Sequence, residues 1–144
     1  MLEALRPRKC LRVTEGPQTD WFSEATTRAF YTGSFRVSED SDRLGLRLVG
    51  PSLATQTARE MISEGVGLGA VQVTPSGESI ILFVEQQTAG GYPKIANVIA
   101  VDLHSIGQLR PRDEITFVRV SLEEARALWI MQQQLLSSGE GLFA

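Results

Sequence analysis

Residues 70–84 read AVQVTPSGESIILFV, and this stretch decides the fold class. Ala70–Val73 has strand chemistry, and a turn is predicted at Pro75-Ser76-Gly77, because an early proline and a late glycine supply the backbone conformations that such a turn demands. The residues that follow, Ile80–Val84, form a run that is apolar on both faces. A strand of that kind lies inside a core. The stretch therefore predicts an antiparallel hairpin whose second strand is buried on both faces.

Outward from the hairpin, short strands are interspersed with a few helices. Further strands are predicted from β-branched or alternating residues at 11–13, 35–37, 43–48, 97–101 and 115–120. Helical spacing and capping residues predict three helices, at about 20–30, 102–108 and 122–137. The first would start at Thr19 or Asp20, the second at Asp102, and the last at Ser121, which has capping-box spacing to Glu124.

The order of these elements indicates the architecture. The strand–helix–strand alternation of a parallel sheet is absent. Many short strands would leave unpaired backbone groups at the edges of an open sheet, and a closed barrel avoids this. We therefore expect an α+β fold, a mainly antiparallel β-barrel with two or three helices.

Composition excludes several classes of protein. The 144 residues suit one domain, predicted at 11–144 after an N-terminal lead at 1–10. The chain has no apolar run of about 18 residues and no secretory signal in residues 1–10, so we expect no membrane span. A net charge of −3 without a long basic run argues against nucleic acid as a partner. The single cysteine favours the cytoplasm, and with one histidine it cannot make the usual zinc cluster, so we expect no metal site.

Familiar catalytic and nucleotide-binding motifs do not fit this chain. The segment GVGLGA at 65–70 matches the dinucleotide pattern, but β-like residues and Pro75 follow it where that pattern needs a helix. Its glycines, Gly65, Gly67 and Gly69, are expected instead to share one bare face of an extended segment. No glycine is followed by lysine, so there is no P-loop. His104 is interpreted as an exposed or partly packed helix residue, because no nucleophile accompanies it.

Three polar clusters remain as candidate functional residues. Two of them, Ser41-Asp42-Arg43 and Ser63-Glu64-Gly65, precede predicted strands, and each could equally be an ordinary turn or loop. The third is the loop 86–94, which combines amide and hydroxyl groups, paired glycines, Tyr92 and Lys94, one of only two lysines. Such a loop could bind an anion or a carboxylate through backbone amides and the ammonium, or it could be only a long connection.

The segment QTAGGYPK at 87–94 resembles the glutamine-threonine-x-glycine-glycine-tyrosine-proline signature of the carboxyltransferase A/B-subdomain family. That family includes the C subunit of bacterial 5-oxoprolinase, also called allophanate hydrolase subunit 2 or kinase-inhibitor antagonist. Other blocks, at 41–51, 63–73, 108–111 and 120–125, are similar to the family in the same order. The chain departs from the family at Glu85-Gln86, where aspartate-arginine is usual, and it resembles only the carboxy-terminal half of family members.

The resemblance implies a cyclophilin-like β-barrel in a component of ATP-dependent 5-oxoprolinase, which opens 5-oxo-L-proline to L-glutamate. The implied partners are the 5-oxoprolinase B subunit, a third subunit, the missing N-terminal half of the family and a small amide substrate, with ATP bound together with the partner subunits. Two alternatives stay open. One is a biotin-dependent carboxyltransferase domain like that of urea carboxylase, and the other is a non-catalytic regulatory domain.

The candidate site is expected to gather the polar clusters around one cleft. Glu64, Lys94 and Tyr92 are the candidate catalytic residues, with Glu64 as the proton acceptor. The candidate substrate-binding residues are Arg43, Gln72, Gln87, Thr88, Gly90 and Gly91. In this interpretation Arg43 and Lys94 hold carboxylate, carboxybiotin or phosphate oxygens.

The last predicted helix carries a broad apolar patch that includes Trp129, Ile130 and Met131. The patch is wider than one side of a helix buries, and contiguous apolar surface usually marks an interface. We therefore expect part of it to pack on the missing half or on a partner. The chain alone is expected to show no 5-oxoproline hydrolysis.

Overall fold

The computed structural model describes residues 8–41, 45–54, 64–65, 67–83, 89–90 and 92–138. The strands in this part are β1 (Cys10–Glu15), β2 (Phe35–Val37), β3 (Gly45–Val49), β4 (Glu64–Gly65), β5 (Ala70–Val73), β6 (Ser79–Leu82), β7 (Ala89–Gly90), β8 (Lys94–Val98) and β9 (Glu114–Arg119). The α-helices are α1 (Glu24–Thr32), α2 (Leu103–Ile106) and α3 (Leu122–Ser138). Short 3-10 turns lie at Thr19–Trp21 and Ala100–Asp102. None of the helices described is long and apolar enough to cross a membrane.

Seven strands close into a barrel in the order β1-β8-β5-β6-β3-β2-β9. Neighbouring strands pair antiparallel except at the closing seam, where β9 runs parallel to β1 and Leu11 lies opposite Phe117. The predicted mainly antiparallel barrel with two or three helices is confirmed. Strand β1 starts at Cys10, within the segment predicted as an N-terminal lead.

The hairpin of β5 and β6 forms where it was predicted. Gly77 in its turn has φ +89, a conformation that side chains other than glycine rarely adopt. Burial is less complete than expected, because Ile81 and Leu82 are buried whereas Ile80 and Phe83 are only partly so. Val84 lies outside the described residues. The prediction of a strand buried on both faces was therefore wrong for Ile80 and Phe83.

The core fills the barrel and continues under α1. Phe30 of α1 stacks on Phe117 of β9 with ring centroids 4.4 Å apart, and Phe35 packs edge-on against Phe117 at 5.6 Å. All three rings are buried, and burial of such side chains contributes about 2–3 kcal/mol each. This aromatic cluster fixes α1 against the barrel.

Helix α1 starts later than predicted. Trp21 and Phe22 continue the apolar spacing, but Ser23 is the N-cap and its hydroxyl accepts a hydrogen bond from the Thr26 amide at 3.0 Å. The preceding residues form only a 3-10 turn. Capping at Ser23, and not at Thr19 or Asp20, therefore sets the boundary.

Asp102 occupies the N-cap position of α2, as predicted, but its side chain makes no capping hydrogen bond, and the predicted strand 97–101 is shifted to Lys94–Val98. The Asp102 carboxylate instead accepts hydrogen bonds from the Arg12 amide and guanidinium, with Arg12 Nη2 2.6 Å from Asp102 Oδ1. Asp102 is fully buried, and its hydrogen bond raises the pKa of Arg12. The following helix α2 ends at Ile106, two residues short of the prediction. The ion pair ties β1 to the 3-10 turn that leads into α2.

Two further predictions have opposite outcomes. The glycine-rich segment does not present three glycines on one extended face, because the chain turns at Leu68 and Gly69 has φ +90 before β5 begins. The N-cap predicted at Ser121 is confirmed, since the Glu124 amide donates to Ser121 Oγ at 3.0 Å.

Candidate functional site

Gln72 of β5 and Lys94 of β8 lie opposite each other on neighbouring antiparallel strands. Val71 pairs with Ala96, yet Gln72 pairs with Lys94, so Ile95 is an extra residue and the register shifts at this point. A β-bulge of this kind changes the direction of the side chains around it.

The bulge decides which face of the sheet carries Lys94. In a regular strand, alternation would place Lys94 on the same side as Ala96 and Val98, which both belong to the core. With the extra residue, Ile95 and Ala96 both pack in the core, and Lys94 lies beside Gln72 on the opposite face. The register thus pairs Lys94 with Gln72 and separates it from the core positions Ala96 and Val98, where an isolated charge would be costly.

Both side chains are nevertheless buried, since Lys94 is 4% and Gln72 is 6% exposed. Among the described residues, Gln72 Nε2 has no hydrogen-bond partner. A buried donor without an acceptor lowers the free energy of unfolding by about 1–3 kcal/mol, so the presence of the Gln72 amide here calls for an explanation. A lysine beside an unused amide donor suits a carbonyl or carboxylate oxygen of a ligand.

The two strands outside the barrel bring the second and third polar clusters together. Glu64 pairs with Gly90, and Gly65 pairs with Ala89, in antiparallel register. Gly90 is four residues before Lys94, so their Cα atoms are at most about 14 Å apart. The backbone at Glu64 is thereby tied to the loop that leads into β8.

The other candidate site residues are placed only in part. Tyr92 is 43% exposed just before β8. Glu64 and Gly90 are described by their backbone, whereas the remaining four lie outside the described residues: Arg43, Gln87, Thr88 and Gly91. That all these side chains share one cleft stays a prediction.

The sequence analysis did not identify Gln18 as part of this region. Its side-chain Oε1 accepts a hydrogen bond from the Lys94 backbone amide at 2.9 Å. Its backbone amide donates to the Lys94 carbonyl at 3.3 Å. Gln18 is 9% exposed. The nearby Gly16-Pro17 pair predicts a turn, but it does not indicate that the turn hydrogen-bonds to the backbone of β8.

The single cysteine, Cys10, and the single histidine, His104, take other positions. Cys10 is an exposed free thiol at the start of β1. His104 lies half-buried in α2, as a partly packed helix histidine.

A separate cleft of about 700 Å³ lies between α1 and β9, lined in part by Arg28, Tyr31 and Arg119. The Tyr31 hydroxyl is shielded and has no partner within the described ranges, and burial raises the pKa of Tyr31. Arg119 lies 5.7 Å from the Tyr31 ring centroid and forms an ion pair with Glu15 at 2.8 Å. None of the candidate site residues from the sequence lines this cleft.

Residues 2–119 match the family described as carboxyltransferase domain, subdomain A and B, so the chain belongs to this family. It is 39% identical over 121 residues to the 5-oxoprolinase C subunit of Haemophilus influenzae, covering 84% of this chain and 39% of that protein. The Escherichia coli protein of the same name is 40% identical over 115 residues, covering 80% of this chain and 37% of its own length. The chain thus spans less than half the length of these relatives.

The barrel is also similar to a solved structure from yeast. The K. lactis urea amidolyase matches with a TM-score of 0.86 and 28% identity, over 96% of this chain and 9% of that one. The family expected from the 87–94 signature is therefore confirmed.

Proposed function

We propose that this chain is a component of ATP-dependent 5-oxoprolinase, which opens 5-oxo-L-proline to L-glutamate together with partner subunits. The observation that carries the proposal is the similarity to two bacterial 5-oxoprolinase C subunits over at least four-fifths of the chain. The partners would be the B subunit, a third subunit and the N-terminal half that relatives of the family possess.

The chemistry of the Gln72–Lys94 pair supports this substrate class. A lactam carbonyl is a poor electrophile, and its oxygen gains negative charge as the ring opens. A buried ammonium and an amide N–H are preorganised donors for such an oxygen, and in a site shielded from water they act more strongly than in solution. Lys94 and Gln72 would therefore orient and polarise the substrate carbonyl.

The remaining roles in the proposed site follow the residue types. Glu64 would accept a proton from the attacking water, and Tyr92 would orient the amide with Gln87. Arg43 and the backbone N–H groups at Thr88, Gly90 and Gly91 would hold the substrate carboxylate.

ATP would bind mainly through the partner subunits. When bound, it supplies the phosphoryl group that turns the lactam oxygen into a leaving group. This chain has two lysines, Lys9 and Lys94, and neither follows a glycine as a P-loop lysine does. We therefore expect no 5-oxoproline hydrolysis from the chain alone, and we place the assembly in the cytoplasm.

The exposed apolar residues of α3 are the proposed contact with the missing half or with the B subunit. Trp129, Ile130 and Met131 are 46%, 41% and 56% exposed on this helix. Neighbouring apolar side chains exposed to this extent usually mark an interface.

A biotin-dependent carboxyltransferase acting on urea is the second candidate function. The observation that favours it is the TM-score of 0.86 with a urea amidolyase over nearly the whole chain. Urea is also small, planar and amide-like, so the Gln72 and Lys94 donors would suit its carbonyl oxygen, or the carboxyl group that carboxybiotin delivers.

Reconstitution distinguishes the two functions. The chain is combined with the complete set of partner subunits, and ADP release is measured with 5-oxoproline or, with a biotin carboxylase also present, with urea, bicarbonate and a biotin carrier. The proposal expects turnover with 5-oxoproline that depends on every component. Turnover in the urea mixture but not with 5-oxoproline would establish the second function. Saturable binding to the B subunit without turnover of either substrate would indicate a regulatory domain.

A further inference from the structure

We propose that Gln18 is a positioning residue for Lys94, acting through the β-bulge at Ile95. The inference rests on the proposed function, because it takes Lys94 to be a residue that contacts the substrate. Gln18 would act through its hydrogen bond to the Lys94 backbone amide and needs no contact with substrate.

The chain continues to follow β8 after β1 has ended. The last Cα pair between these strands is Glu15 with Ala96, and the Gly16 amide then donates to the Ile95 carbonyl at 2.9 Å. One residue earlier along β8, the Lys94 backbone amide donates a hydrogen bond to Gln18 Oε1 at 2.9 Å, so a side chain and not a strand backbone supplies the acceptor. The side-chain amide thus takes the place of the backbone carbonyl that a longer β1 would have offered.

This arrangement fixes the backbone on both sides of the bulge. Gly16 lies so close to β8 that a Cβ atom built on it would overlap the Lys94 carbonyl oxygen. Thr19 Oγ1 donates to the Ile95 carbonyl at 2.9 Å, which the Gly16 amide also contacts. The segment 16–19 therefore satisfies the amide and carbonyl of Lys94 and the carbonyl of Ile95, and each of these groups has a defined direction.

Loss of the Gln18 acceptor would release the bulge. The Lys94 amide is buried and would lose its hydrogen bond, whereas a slide of β8 toward regular pairing would turn Lys94 to the side of Ala96 and Val98. Either response moves the ammonium relative to Gln72. Small displacements of a catalytic group cost much of the rate because the reacting atoms must be aligned.

The test uses Gln18→Met, which keeps the length of the side chain and removes the acceptor. Ser23→Ala is the matched control, because it also removes a side-chain acceptor from a backbone amide, at the N-cap of α1. The full chain is labelled with [ε-¹³C]lysine, so that its NMR spectrum contains two lysine signals, from Lys9 and Lys94. Lys9→Arg removes one signal and assigns the other.

We expect Gln18→Met to shift or broaden the Lys94 signal and leave that of Lys9 in place, whereas Ser23→Ala changes neither. In the reconstituted assembly, Gln18→Met should lower kcat by roughly tenfold to a hundredfold. Ser23→Ala should leave kcat within twofold of the unmodified chain at a temperature where both variants are folded. Melting curves establish that temperature.

The outcomes separate this inference from the proposed function. An unchanged Lys94 signal in Gln18→Met overturns the positioning role, as does an unchanged kcat when Lys94→Met abolishes turnover. A displaced Lys94 signal together with full activity of Lys94→Met supports the positioning role and contradicts the function proposed for Lys94.

Discussion

Replacing Gln72 by methionine should stabilise the chain even though it removes a polar group from the candidate site. Gln72 is 6% exposed, and its Nε2 has no hydrogen-bond partner in the part of the chain that the structure describes. Leaving such a donor unpaired costs about 1–3 kcal/mol, and methionine has nearly the same shape without the donor. Function, and not stability, would then explain why a glutamine occupies this position.

The expected gain is about 1–2 kcal/mol, which corresponds to a rise in Tm of roughly 3–6 °C for a domain of this size. Gln18→Met is the matched control, because Gln18 is similarly buried but its Oε1 accepts from the Lys94 amide. That substitution should lower the free energy of unfolding by about 1–3 kcal/mol. The two Gln→Met changes are therefore expected to have opposite signs.

Urea denaturation is the appropriate assay, because a shift of the midpoint at constant slope reports stability alone. A Gln72→Met chain less stable than the unmodified chain would refute the reasoning, since it would mean that the amide makes a stabilising interaction. In the assembly with partner subunits, the same variant should lose turnover by roughly a hundredfold, as expected when one donor to a developing oxyanion is removed.

Three other outcomes follow from the structure. Because burial raises the pKa of Tyr31, the contribution of this residue to the free energy of unfolding is complete below pH 10 and is lost as pH rises through the folded-state pKa. Tyr31→Phe should therefore make the loss of stability at alkaline pH less steep. An absorbance titration of Tyr92→Phe, which leaves Tyr31 as the one tyrosine, should give a midpoint above 10. Asp102→Ala should cost about 3 kcal/mol, measured by denaturant unfolding, because it leaves the partly buried Arg12 without its carboxylate. Trp129 fluorescence should shift to the blue when the B subunit is added to a Trp21→Phe chain, because binding would cover an exposed indole.

Each of these expectations has a contradicting result. An alkaline stability profile that is the same in Tyr31→Phe would mean that folding does not raise the pKa of Tyr31. A loss below about 1 kcal/mol in Asp102→Ala would show that water readily replaces the carboxylate. An unchanged Trp129 emission when the B subunit is saturating would remove α3 from the interface.

Local signals in the sequence were sufficient for much of the fold. The β5–β6 hairpin and the N-cap at Ser121 depend on residues only a few positions apart, and both form as expected. The start of α1 was predicted too early because Trp21 and Phe22 continue the helical spacing of apolar residues toward the N-terminus. In the structure, Trp21 lies in a 3-10 turn and Phe22 in the loop after it. Apolar spacing reports which side chains are buried, and the cap reports where the helix begins.

The candidate site depends on a long-range feature that no local pattern contains. Lys94 was read as part of a loop, whereas it begins β8 and pairs with Gln72 through a shift in register. The bulge that sets this register is bound by Gln18, 76 positions earlier in the chain. Sequence similarity supplied the family and the candidate residues, but it could not supply the strand register that brings Gln72 and Lys94 together.

Glutamate formation from 5-oxoproline by assemblies that differ only at one lysine tests the central claim most directly. Lys94→Met changes the buried lysine of the candidate site, and Lys9→Met makes the same change at the other lysine, which is exposed and 3.6 Å from Asp113. Assemblies containing the unmodified chain or Lys9→Met should form glutamate with consumption of ATP, and Lys94→Met should be slower by roughly a hundredfold. Equal rates of glutamate formation by the Lys9→Met and Lys94→Met assemblies would contradict the account.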